Sequence, residues 1–214
     1  MTSINRTALL VLDVINEIVH PDGKYAAEGY GEQARQKNLI GNIRTALDAA
    51  RAEGLPVIFV SVGFDPTFSN CPSNSPVLSV AAKERRLIAN TWSTQVHDDV
   101  APRPNEPLLM KSSIDPYTTT NLHTLLAAYG VDHVVLTGIS TEFVVLTTAF
   151  GAHDRNYKVT VLEDAVSAST LAGHRAALSV LSHLASISSV GDFVRSLGGL
   201  GETAPILFLE TVDV

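Results

Sequence analysis

Two charged residues stand where apolar runs end. Asp13 follows Ala8-Leu9-Leu10-Val11-Leu12, and Lys111 follows Pro107-Leu108-Leu109-Met110, neither with a polar spacer. A charge left at a half-buried strand end needs a partner, because an isolated ion taken out of water is costly. The residues alone leave two readings open. One is a structural ion pair or two solvated loop charges; the other is an acid/base carboxylate whose pKa is set by a neighbouring ammonium. Further candidates follow similar runs: Gly63-Phe64-Asp65, Ser112-Ser113, Gly138-Ile139-Ser140-Thr141-Glu142 and Glu163-Asp164-Ala165. The hydroxyls of Ser140, Thr141, Thr147 and Thr148 have no histidine in their stretch to act as base, so capping or packing is their expected work. Phe64, Trp92 and Tyr117 are candidates to line a pocket, as is Thr141, with plain packing as the alternative. The seven histidines are scattered without ligand spacing and Cys71 is the single cysteine, so no metal site is expected.

The apolar runs are short, β-branched and continuous rather than alternating, the pattern of strands buried on both faces. Besides the two already named, they comprise Pro56–Val62, His133–Thr137 and Lys158–Leu162, with a last strand expected around Ser186-Ile187-Ser188. Helical spacing separates them: Leu39, Ile43, Leu47 and Ala50; Leu122, Leu125, Leu126 and Tyr129; then Phe143–Asp154 and His174–Leu184. A short closing helix is expected near Val190–Phe193. Strands alternating with helices predict a parallel sheet with helices on both faces. In such a sheet ligands bind outside the carboxyl ends of the strands, where Asp13 and Lys111 fall. Phe64–Pro76, with its prolines and the cysteine, predicts a long loop.

The chain has 214 residues, 45% of them hydrophobic, enough for one domain with a sizeable core. A formal net charge of −7 argues against nucleic acid or an anionic membrane surface as partner. One cysteine excludes an intrachain disulfide and suits a reducing cytoplasm. No run is long enough for a signal-peptide core or a membrane span. A single domain over residues 1–196 is expected, followed by a C-terminal arm, 197–214, whose apolar Pro205–Leu209 would pack on its own domain or at an oligomer interface.

Three segments together resemble the isochorismatase-like hydrolase superfamily over roughly residues 6–195. Leu9–Glu17 is similar to its first strand and aspartate, Leu109–Tyr117 to its lysine segment, and Val134–Glu142 to its Gly-x-x-Thr turn entering a helix. Ala149, Asp154, Tyr157, Asp164-Ala165 and His174 also match its pattern. The resemblance implies an α/β fold, a three-layer αβα sandwich around a mostly parallel, Rossmann-like sheet of about six strands. It implies a catalytic Asp13 and Lys111, a cis Ile139–Ser140 peptide, and backbone N–H groups of Ser140 and Val144 that hold an oxyanion or carboxylate. It also implies a homodimer or homotetramer acting on a small molecule, with no cofactor.

One position departs from the family. Most members carry a nucleophilic cysteine three residues beyond the motif threonine, and here that residue is Val144. Members that bind a metal have an aspartate and histidines after the second strand, whereas Gly63–Phe68 holds no histidine. The isochorismatases of the superfamily also lack the cysteine and hydrolyse a vinyl ether by protonating it with the aspartic acid. By that resemblance the expected activity is hydrolysis of a small, anionic metabolite by an Asp13/Lys111 pair. The alternatives are an amidohydrolase in which Asp13 activates water, and a binding homologue without turnover.

Overall fold

The structure is a computed structural model and describes residues 6–198. Its centre is a six-stranded parallel sheet: β1 (Thr7–Leu12), β2 (Val57–Val62), β3 (Leu108–Lys111), β4 (His133–Ile139), β5 (Lys158–Ser167) and β6 (Ser186–Ser188), in the order β3-β2-β1-β4-β5-β6. The helices are α1 (Asn16–Val19), α2 (Tyr30–Gln36), α3 (Leu39–Ala52), α4 (Pro76–Glu84), α5 (Pro116–Thr119), α6 (Leu122–Ala128), α7 (Leu146–His153), α8 (Leu171–Leu181) and α9 (Val190–Gly198).

Side chains alternate across the strands and build one core on each face. Leu9, Val11 and Phe59 pack beneath α3 and α9, whose Leu39, Ile43, Leu47 and Phe193 are buried there. Leu10, Leu12, Ile58 and Val60 face the other way, against Leu122 and Leu126 of α6 and Ala149 of α7. A third, smaller cluster sits over the strand ends, where Ile15, Val62 and Phe64 meet Leu78 and Ala81 of α4. The three-layer architecture is the one expected.

The differences from expectation are local. Within the long loop's span the chain turns at Ser75 into α4, with the serine hydroxyl accepting from the Leu78 N–H and proline in the first turn. β5 continues past Leu162, so Glu163 and Asp164 lie inside the strand rather than after it. The helix expected from Phe143 starts with a π-helical turn, Thr141–Val145, before α7. α9 runs through the expected domain boundary at 196, and the rest of the C-terminal arm, 199–214, lies outside the described residues.

Candidate active site

Strand order reverses between β1 and β4, the position at which open α/β sheets bind ligands. Gly138 lets these two strands meet. It pairs with Leu12 at φ +122°, and a Cβ there would overlap the Leu12 carbonyl. Directly after β1, Asp13 adopts a left-handed φ of +53°, uncommon for a residue with a side chain. Its N–H donates to the Val60 carbonyl at 2.8 Å, and its own carbonyl accepts from the Ile15 N–H at 2.8 Å. The turn is thereby fixed between β2 and the start of α1.

Lys111 ends β3, two strands away across β2, and its long side chain spans the gap. Its Nζ lies 2.8 Å from Asp13 Oδ2, with side chains only 2% and 6% exposed. The same ammonium donates to the Ser113 carbonyl at 3.0 Å. Asp13 Oδ1 is buried without a hydrogen-bond partner among the described residues. Burial pushes the Asp13 carboxyl above its ordinary range, and the charge and hydrogen bond of Lys111 oppose that rise.

The pair opens on a cavity of about 80 Å³. From β2 comes Val62, and from the β4 turn come Ile139, Ser140, Phe143 and Val144. Ile18, Tyr25 and Tyr30 close it from the segment after β1, and Val77, Leu78, Leu87 and Ile114 from the segments flanking β3. The Ile139–Ser140 peptide is cis, as the resemblance implied. Val144, the position to which the resemblance assigned the family's nucleophile, is buried on the π-helical turn. Cys71 does not line the cavity; its thiol hydrogen-bonds the Leu78 carbonyl at 3.5 Å, and burial raises its pKa.

Four expected pocket residues lie elsewhere. Phe64 is fully buried in the cluster over the strand ends. Trp92 is 44% exposed and borders a separate depression with His20 and His97. Tyr117 belongs to the core beneath α6 and α7, with the Arg155 guanidinium 4.5 Å from its ring centre. Thr141, the fourth, does not line the cavity either.

Thr141 is buried, and its hydroxyl meets His174 Nδ1 at 2.9 Å. His174 Nε2 is 2.6 Å from Lys37 Nζ, which also donates to the Glu163 carbonyl. An ammonium can only donate, so Nε2 accepts and Nδ1 carries the proton given to Thr141. Burial and the Lys37 charge push the His174 pKa down to about 4. The chain of contacts braces the turn that presents Ser140 and Val144. The N–H groups of Phe143 and Val145 are spent inside that turn, on the Ser140 carbonyl at 3.4 and 3.1 Å.

Tyr25 and Tyr30 escaped the sequence reading. Their only signal is two tyrosines five residues apart among glycines and alanines. Among the described residues, no group of three His, Cys, Asp or Glu side chains is placed to hold a metal ion. No helix among them is long and apolar enough to cross a membrane.

The Isochorismatase domain family matches residues 7–192. The ureidoacrylate amidohydrolase RutB of Pantoea ananatis is 28% identical over 207 residues, spanning 90% of this chain and 82% of that protein. The N-carbamoylsarcosine amidase structure from Thermoplasma acidophilum is 28% identical with a TM-score of 0.69, over 86% of this chain and 96% of the other. A cysteine hydrolase from Pseudomonas syringae pv. phaseolicola shares the fold at TM-score 0.81 and 21% identity, covering 93% and 95% of the two chains. With nearly the whole domain matched and relatives that are hydrolases, the chain belongs to the Isochorismatase domain family.

Proposed function

We propose that the protein is a hydrolase of a small metabolite in which Asp13 and Lys111 act without a cysteine nucleophile, by acid-assisted cleavage of a vinyl-ether-type bond. The observation that carries this reading is the Asp13 carboxyl itself. Burial raises its pKa, Oδ2 is held by Lys111, and Oδ1 is left without a hydrogen-bond partner among the described residues at the cavity. A carboxyl held in this way can keep a proton and deliver it from Oδ1.

In the reaction, Oδ1 gives its proton to the terminal alkene carbon, which takes it with the C=C electron pair. Positive charge then develops at the oxygen-bearing carbon. Water adds there and returns a proton to Asp13, and the hemiketal splits into an alcohol and a carbonyl compound. Between these steps Asp13 is a carboxylate, and the ammonium 2.8 Å away stabilises it. The backbone N–H groups of Ser140 and Val144 are the candidate donors to a substrate oxygen.

A second reading has Asp13 activating water for attack on a C–N bond; the amidohydrolase and amidase relatives favour it. A homodimer or homotetramer working in the cytoplasm goes with either reading, supported by the family resemblance and the single cysteine. The test is Asp13→Asn, assayed on a panel of vinyl ethers and amides. Turnover should fall about 10²–10⁴-fold, the usual worth of a positioned acid or base. Alkylation of Cys71 should leave turnover intact. Activity that survives Asp13→Asn, or that alkylation abolishes, overturns the reading.

A further inference from the structure

The resemblance led to the expectation of an anionic substrate, for which the Lys111 ammonium would be the natural partner. In the cavity that ammonium is already taken, by Asp13 Oδ2 at 2.8 Å and the Ser113 carbonyl at 3.0 Å. Among the described residues, no other cationic side chain lines the space. The Arg86 guanidinium, 4.5 Å from the Tyr25 ring centre, is claimed by Glu28 and Glu84, each at 2.5 Å. An anion entering here would lose its hydration and meet no free positive charge.

What surrounds the cavity is instead rich in unsatisfied acceptors. Asp13 lines it, and Glu17 and Glu142 are close enough to act electrostatically on its tyrosines; Asp13 Oδ1, Glu17 Oε1 and Glu142 Oε2 are all buried without partners among the described residues. Tyr25 and Tyr30 are its phenols, and the Tyr30 oxygen accepts from the Ser169 and Ser140 hydroxyls, which leaves its own O–H to donate. Burial, with Glu28 and Glu17 nearby, pushes the Tyr25 pKa up to about 12, and burial and Glu142 raise that of Tyr30. Both phenols are therefore protonated and able to donate to a neutral oxygen. The remaining wall is aliphatic or aromatic, Val62, Leu78, Ile139 and Val144 among it. At about 80 Å³ the space is roughly half that of a dry cavity of about 150 Å³ known to admit benzene.

We propose that this site takes small uncharged molecules, an apolar body of roughly four to six heavy atoms carrying a carbonyl or ether oxygen that accepts from Tyr30 or Tyr25, and that it rejects carboxylates. The proposal rests on the hydrolase reading for the identity of the site, but binding tests it without turnover. Isobutyramide, isobutyrate and isobutylammonium share one apolar body and differ in charge. Titration of each into the full-length protein at pH 7, followed by calorimetry and by ligand-detected NMR, ranks them. The amide should bind at least tenfold more tightly than either ion. Tyr30→Phe should weaken it about two- to tenfold, the worth of one hydrogen bond, without changing the melting temperature. Equal or tighter binding of isobutyrate or isobutylammonium overturns the proposal, as does the failure of all three to bind. If the amide is preferred while Asp13→Asn leaves hydrolysis unchanged, the hydrolase reading fails and the ligand class stands.

Discussion

Replacing Lys111 by methionine keeps the length and apolar stem of the side chain and removes only its charge. Asp13, 6% exposed, then loses the ammonium 2.8 Å from its Oδ2. Breaking a buried pair from one side costs about 3–5 kcal/mol, because the remaining charge is desolvated and uncompensated. For a chain of this length each kcal/mol shifts the melting temperature by about 2–4 °C, so a drop of about 6–20 °C is expected near pH 7. The deficit must also depend on pH. The folded Asp13 carboxyl already holds its proton above the ordinary range, and without Lys111 the two largest influences that oppose burial disappear, leaving only the Val62 backbone hydrogen bond. Where the unfolded chain has released this proton and the folded chain still holds it, stability falls as pH rises, until the folded pKa is passed. Below the unfolded value, near pH 4, both states are protonated and the penalty vanishes.

The gap between wild type and Lys111→Met should therefore be widest at pH 8 and close towards pH 4–5. The deficit reflects a carboxyl that titrates higher in the variant than in the wild type, because burial is no longer opposed by Lys111. Urea denaturation between pH 4.5 and 8 measures it, with Asp13→Asn/Lys111→Met as the control whose stability gap should not vary with pH. A deficit below about 1 kcal/mol would place the pair among solvated surface bridges. A large deficit that does not change with pH would show that lost packing, and not an orphaned carboxylate, is responsible.

Two further outcomes follow from the same geometry. Val144→Cys puts a thiol on the cavity wall within the Asp13 site; it should gain amide hydrolysis and a covalent adduct with iodoacetamide, located by mass spectrometry, that the native residue cannot form, and a variant that stays inert to both would mean the turn does not present this position for attack. His174 has a folded pKa of about 4, below its ordinary 6.5, so the unfolded chain takes up this proton first and stability should fall as pH drops from about 6.5 towards about 4. In His174→Asn that part of the slope should be missing from denaturation curves, and an imidazole that titrates near 6.5 by NMR would contradict the Lys37–His174–Thr141 arrangement.

What could be read from the chain, and what could not, divides along a physical line. Strands buried on both faces need apolar residues at every position, so β1, β2 and β4 stand out as unbroken runs and Asp13 at the end of β1 is conspicuous; Lys111 was legible because it closes the apolar Leu108-Leu109-Met110 run of β3, although that edge strand is only partly buried. Val144 was legible by counting from Gly138, because the glycine is required where β4 crosses close to Leu12. β5 was read short because Glu163 and Asp164 interrupt its run. Its ladder with β4 shifts register after Leu136 and resumes at Gly138 with Val166, a continuation dictated by the neighbouring strand and not by these residues. The cavity wall was harder still. Whether an aromatic residue near a strand end points into the cleft depends on which side of the sheet its segment crosses. Phe64 is held inward by a bridge to Ile88, and Tyr117 by α5, capped through the Asp115 side chain. Tyr25, Tyr30 and Leu78 reach Asp13 from segments whose own periodicity says nothing of the strand ends they cover. The Asp13/Lys111 pair is thus a property of two strand tips, visible in one dimension, whereas most of the cavity wall comes from segments folded over those tips, and on the proposed function it is there that substitutions would redirect the ligand while Asp13 and Lys111 remain.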